Sequence, residues 1–192
     1  MRTMNAFVVF ALLFAGLALV PTSAAAASPH QGTGDQIDVS SALDYWIGNT
    51  EKEVVPAADA MPEEKYSFAP RGAGFNGVRT FGEQVKHLAA NNYRMAAYIL
   101  GETPTSDQES ETGPESVRSK SQIMEYLRGS FRALHKAVAA INTGNLVEPL
   151  DVRLRQRTRL QLAVDAVAHC YDHYGQMVEY LRMNQIIPPA SR

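Results

Sequence analysis

Two histidines one helical turn apart, His169 and His173, sit in the run Val-Ala-His169-Cys-Tyr-Asp-His173-Tyr-Gly-Gln near the end of the chain. A third, His87, lies 82 residues upstream in a helical segment of its own. Side chains four apart share a helix face, so the two imidazoles of the pair can grip one ion. A third imidazole from a facing helix completes a His₃ set, which leaves a coordination position open for water or substrate. That is the pattern of a working metal site rather than a closed structural one. Two histidines four apart also arise by chance in helices. On residues alone, a shared site and three unconnected histidines both remain open.

The other titratable residues near these positions have plainer roles. Cys170 is the single cysteine, so no intramolecular disulfide forms. It neighbours His169, but adjacent helical residues point about 100° apart, so a small buried hydrophobe is expected rather than a ligand. Glu83, one turn before His87, and Asp172 are candidates for a supporting or proton-transfer role; each also fits a helix cap or a solvated face. His30 and His135 have no partner at ligand spacing.

The elements that must position these residues read as helices. A first segment, about Ser41 to Asp59, carries Leu43, Trp46, Ile47, Val54 and Ala58 at helical spacing, with Pro56 expected to kink or end it. Residues 61–78 hold two prolines and three glycines and form a long irregular connection. Thr80-Phe-Gly-Glu83 is a capping box that opens the second helix, and Gly101 stops it. Residues 102–118 are acidic and rich in Ser, Thr and Pro, hence an exposed loop. Ser119-Lys-Ser-Gln122 opens a third helix through Ile141. Thr158-Arg-Leu-Gln161 opens the last and longest, with Pro188-Pro189 as its terminator. Its apolar residues fill an arc of about 200°, with His169 and His173 at one edge. No six-residue window shows strand-type alternation. Four helices of about 20 residues with one long connection predict an all-α four-helix bundle.

Before that domain stands a leader. A basic start, an apolar run from Phe7 to Val20 and Ala24 to Ala27 predict a secretory signal peptide over 1–27. The 14-residue run falls short of the roughly 20 that a spanning helix needs. The expectation is export to the periplasm or beyond, with no membrane contact after cleavage. Residues 28–38 form a flexible lead-in and 39–192 one domain. Loss of the leader removes Arg2 alone and leaves 17 basic against 20 acidic residues, a net of −3. That balance argues against nucleic acid as a partner. The four arginines between 153 and 159 read as a loop-to-helix surface.

The segment from His169 to Ser191 resembles the last helix of the DinB-like superfamily of metal-dependent proteins. Ala60-Met-Pro-Glu-Glu-Lys-Tyr-Ser-Phe68-Ala-Pro70, followed by Val78 to His87, resembles that family's first connection and second helix. The match covers roughly residues 40–190. It implies an up-down-down-up bundle, often a homodimer, with a divalent metal on His87, His169 and His173. The best-understood relatives are transferases or isomerases that use the metal to activate a low-molecular-weight thiol. An exported member departs from that picture, because such thiols are cytosolic.

Two function classes follow. One is a metal-dependent hydrolase or thiol transferase acting on a small molecule, holding zinc or nickel, or else iron, on the three histidines. The other is a non-catalytic bundle that binds metal or a partner protein.

Overall fold

The computed structural model describes residues 37–152 and 155–192. The expected leader, most of the lead-in and His30 lie outside them. Asp38, the last residue of that lead-in, is the N-cap of the first helix, its carboxylate accepting from the Ser41 amide at 2.8 Å.

Helix α1 runs Val39–Ala60, α2 Phe81–Leu100, α3 is a single turn at Ser106–Glu109, α4 runs Lys120–Ala139 and α5 Arg159–Met183. All three expected capping boxes form, at Thr80/Glu83, Ser119/Gln122 and Thr158/Gln161. Each satisfies two otherwise orphaned backbone donors, which fixes where the helix begins. Gly101 closes α2 at φ 76°, a left-handed turn that glycine enters without a Cβ penalty.

Contacts across the bundle give the helix directions. Along α2 and α5, Arg79 meets Tyr180, His87 meets His169 and Ile99 meets Arg159, so the two run antiparallel. Gly82 lies by Ile123 and Asn92 by Ser130, so α2 and α4 run parallel. Asp44 meets His135 and Asp59 meets Lys120, so α1 and α4 run antiparallel. Up-down-down-up is therefore the topology, with α2 packed on both α4 and α5 and α1 on the same two. The shared core includes Ile47, Leu88, Leu127, Phe131, Leu162 and Leu181, all buried.

The long connection is anchored rather than loose. Its Tyr66 and Phe68 carbonyls accept from the Gly82 and Phe81 amides, both at 2.8 Å, and so cap the first turn of α2. A Cβ on Gly82 would stand 3.2 Å from the Tyr66 carbonyl oxygen and 3.1 Å from its ring, so a larger residue would push the connection back by a few tenths of an ångström.

Several expectations are corrected. Pro56 does not end α1, which continues to Ala60 because Val54, Ala57 and Ala58 beside it are buried in the core. Pro149–Val152 (β1) pairs antiparallel with Arg155–Thr158 (β2), where no strand was expected. Four-residue strands are too short to display an alternation. Two of the four arginines between 153 and 159 fasten the start of α5: Arg157 pairs with Asp165, while Arg159 reaches the Ile99 carbonyl at 3.1 Å and Glu148 at 2.8 Å. The loop over 102–118 contains α3, itself closed by a Thr105/Gln108 capping box. Helix α5 ends at Met183, ahead of the proline pair, and Gln185 takes the left-handed φ of 64°. Among the described residues no helix is long and apolar enough to cross a membrane.

His135, which lacked a partner in the sequence, bridges two helices. Its Nδ1 lies 2.5 Å from Asp44 Oδ1 and its Nε2 3.1 Å from Glu51 Oε2, both on α1. Burial works against its charge, but the two hydrogen bonds and the carboxylate charges outweigh it, so its pKa is raised. A raised folded pKa gives stability that is fully present below the unfolded value of about 6.5 and lost as pH rises through the folded one. The stability difference between wild type and His135→Ala should therefore be larger at pH 6 than at pH 9. Urea denaturation at both values measures it, and a pH-independent difference would contradict the bridge.

Candidate metal centre

Helix α2 places Gln84, His87, Asn91 and Arg94 on one face, at steps of three and four. Helix α5, running the other way, brings His169, His173 and Gln176 opposite. His87 and His173 are 7% and 6% exposed, whereas His169 is half-buried, which leaves the group reachable from solvent.

The three rings converge on one point. His169 Nε2 lies 3.2 Å from His87 Nε2 and 3.0 Å from His173 Nε2. Ligand atoms of all three fall within 4.8 Å of one another. Bonds of about 2.0–2.1 Å to one ion require nitrogen separations of about 3–3.5 Å. The rings could thus hold a divalent ion with little rearrangement.

Their protonation suits that task. Burial, then the nearby rings of His173 and His87, pushes His169 down to about 3. Burial and then His87 push His173 down to about 4. His87 is also lowered, chiefly by burial, with its hydrogen bond to Glu111 opposing. All three are neutral at pH 7, the form that ligates.

Outer contacts decide which nitrogen faces the centre. His87 Nδ1 lies 2.8 Å from the Glu111 carbonyl oxygen. A carbonyl only accepts, so Nδ1 carries the proton and Nε2 presents its lone pair. His173 Nδ1 lies 2.7 Å from Gln84 Nε2. That nitrogen also donates to Gln176 Oε1 at 2.5 Å, and Gln176 Nε2 donates to Asp172 at 3.1 Å. In this arrangement His173 Nδ1 accepts. Turning the Gln84 amide over offers Oε1 to an Nδ1–H instead, which frees His173 Nε2 to ligate; Gln176 must then turn as well, so that its NH₂ faces Gln84 and its bond to Asp172 is given up. Gln84 is the residue that selects the tautomer. Gln84→Leu should lower metal affinity about 10–100-fold, whereas Gln84→Glu, an acceptor only, should hold or raise it. Competition against a chromophoric chelator measures both, and three equal affinities would remove Gln84 from the site.

Other expected residues sort themselves by position. The Glu83 carboxylate is spent on the Thr80 amide and hydroxyl at 2.8 and 2.9 Å, so it is a cap. Asp172 is exposed and reaches His173 only through two amides. Cys170 points into the core, its Sγ donating to Asn92 Oδ1 at 3.4 Å, and burial pushes the thiol up to about 12. It is no ligand. Sequence reasoning missed Gln84 and Glu111. Gln84 carried a signal, since it stands one turn before His87 on the same face. Glu111 carried none, because a loop residue's tertiary partner leaves no periodic trace.

Around the rings lies a charged rim. The Glu111 carboxylate stands 3.3 Å from Arg79, 3.3 Å from His87 Nδ1 and 3.6 Å from Arg94. Arg94 is 8% exposed and donates to Asn91 Oδ1 at 2.6 Å. Of the three buried side-chain polar atoms without a hydrogen-bond partner among the described residues, two lie here, Asn91 Nδ2 and His169 Nδ1; the third is the Tyr126 hydroxyl.

The family model of the DinB superfamily matches residues 48–177. Among solved structures, a DinB-like protein from Bacillus cereus matches with a TM-score of 0.63 at 16% identity. That match covers 79% of this chain and 96% of the other. No curated protein matches.

Proposed function

Because the chain belongs to the DinB superfamily and brings three neutral imidazoles to one point, we propose that it is a metal-dependent enzyme of small-molecule hydrolysis or thiol transfer. His87, His169 and His173 are the ligands in this reading, with zinc or nickel favoured and iron next. The convergence of their Nε2 atoms, at 3.0 and 3.2 Å, carries it.

A divalent ion held by neutral donors keeps its full charge and supplies Lewis acidity and an activated water or thiol near neutral pH. The protein's own residues do the rest. The Glu111 carbonyl orients His87 so that its Nε2 lone pair points inward, and Gln84 does the same for His173 once its amide presents Oε1 to Nδ1–H. The bodies of α2 and α5 shelter the centre on the core side, and half-buried His169 marks the side from which substrate arrives. With the ligands already neutral, binding of metal at pH 7 costs little ligand deprotonation, so affinity should change little between pH 7 and 8.

The secretory leader expected over residues 1–27 supports extending the proposal to an activity in the periplasm or outside the cell, where water is the more available nucleophile. The family's frequent dimerisation extends the proposal to a homodimer. Metal analysis of protein purified without a histidine tag, followed by hydrolytic and thiol-transfer assays, tests the function. About one equivalent of metal with turnover supports an enzyme. Metal without turnover favours the non-catalytic bundle, and no metal at any pH between 6 and 8 ends both metal-based readings.

A further inference from the structure

We propose that a carboxylate-binding subsite made by Arg94, Asn91 and Arg79 adjoins the histidine cluster, and that the Glu111 side chain fills it when no substrate is present. The proposal rests on the metal-site reading and names the substrate class: a small molecule carrying a carboxylate.

The argument begins with an imbalance of donors. Arg94 is 8% exposed, and a guanidinium has five N–H groups to satisfy. Among the described residues its one hydrogen bond goes to Asn91 Oδ1, at 2.6 Å. The nearest carboxylate, Glu111, stands at 3.6 Å, close enough for attraction and too far for a good hydrogen bond. Beside it, Asn91 is 2% exposed and its Nδ2 has no partner. A buried amide donor left unpaired is costly, and native structures seldom leave one without a reason. Both groups lack the same thing, an acceptor.

The acceptor now present is poorly held. The Glu111 side chain is 63% exposed and shared among Arg79, Arg94 and His87. It comes from the short segment after α3, not from a helix of the bundle. Its backbone carbonyl, not its carboxylate, makes the 2.8 Å contact that orients His87. The carboxylate can therefore leave without undoing the metal site. A substrate carboxylate of the same shape would take a bidentate place on Arg94, a pairing stronger than the present one.

Charge favours the exchange. Two guanidinium groups face one carboxylate here, and a divalent ion on three neutral rings would add two more positive charges. His87 ties the parts together, lying 3.3 Å from the Glu111 carboxylate and one helical turn from Asn91. A molecule anchored on Arg94 and Asn91 would thus lie beside His87, one of the three residues that would hold the ion.

Succinate is a suitable probe, followed by the NMR signals of the Arg94 Nε–H and the Asn91 side-chain amide in metal-free and zinc-loaded protein. Zinc binding is measured separately beforehand. Succinate should shift both signals saturably in either form, and bind more tightly when zinc is present. Arg94→Gln should weaken binding on the order of tenfold or more, as loss of a charge-assisted pair does. Glu111→Gln, a change at an exposed side chain, should strengthen it by removing the internal competitor. Unmoved Arg94 and Asn91 signals would overturn the subsite even if zinc binds. So would Glu111→Gln protein that binds succinate no better than wild type. Shifts without any zinc binding would leave the subsite standing and overturn the metal reading instead.

Discussion

Replacing His173 with alanine is expected to strip metal from the protein while leaving its helices formed. The loss removes one of three protein ligands, so affinity should fall well beyond the 10–100-fold typical of changes to orienting residues. His173 is 6% exposed, and its ring faces the other two histidines and Gln84 rather than the apolar core. Truncation therefore costs ligation more than packing. His135→Ala is the matched control. That ring lies on α4 between Asp44 and Glu51, with no part in the cluster, so metal should stay bound. Metal content read alongside circular dichroism separates the two variants. Equal metal in both would leave a bundle with three incidental histidines.

A second large effect is expected at Phe81. It is fully buried at the first turn of α2, with ring centroids 5.4 Å from Tyr66 and 6.4 Å from Tyr180. Those rings belong to the long connection and to α5, so Phe81 joins three segments at one end of the bundle. Phe81→Ala should cost about 3–5 kcal/mol, the range for deleting a buried aromatic whose surroundings cannot collapse. The midpoint of urea unfolding should drop by the corresponding amount at unchanged slope. A loss under about 1 kcal/mol would mean that the connection repacks freely around the cavity.

What could be read from the sequence divides by the range of the forces involved. The starts of α2, α4 and α5 were legible because a capping box is closed by residues three apart, here Thr80 with Glu83 and its two counterparts. The His169–His173 pair was legible for the same reason. His87 could be named as the third member from the family likeness, whereas its distance from the pair depends on how α2 and α5 align, which no local pattern encodes. Glu111 and the partners of His135 were invisible because they lie 24, 91 and 84 residues away. The strand pair was missed through its brevity, and of the kink or end expected at Pro56 the end does not occur, because burial of Val54, Ala57 and Ala58 overrides a local preference.

The separation of 82 residues between His87 and His169 also bears on when the chain can acquire its metal. The α5 pair alone offers two ligands and could hold an ion only loosely. Three ligands exist only after α5 has docked against α2, a step that closes most of the domain into one loop. Metal capture therefore reports completed assembly and cannot start it. Once made, the ion acts as a reversible cross-link whose strength depends on its concentration, adding about 4 kcal/mol at a thousand times its dissociation constant. A chain that crosses a membrane unfolded would be empty on arrival. The ion it ends up with would then be set by supply on the far side, not by the compartment where it was made.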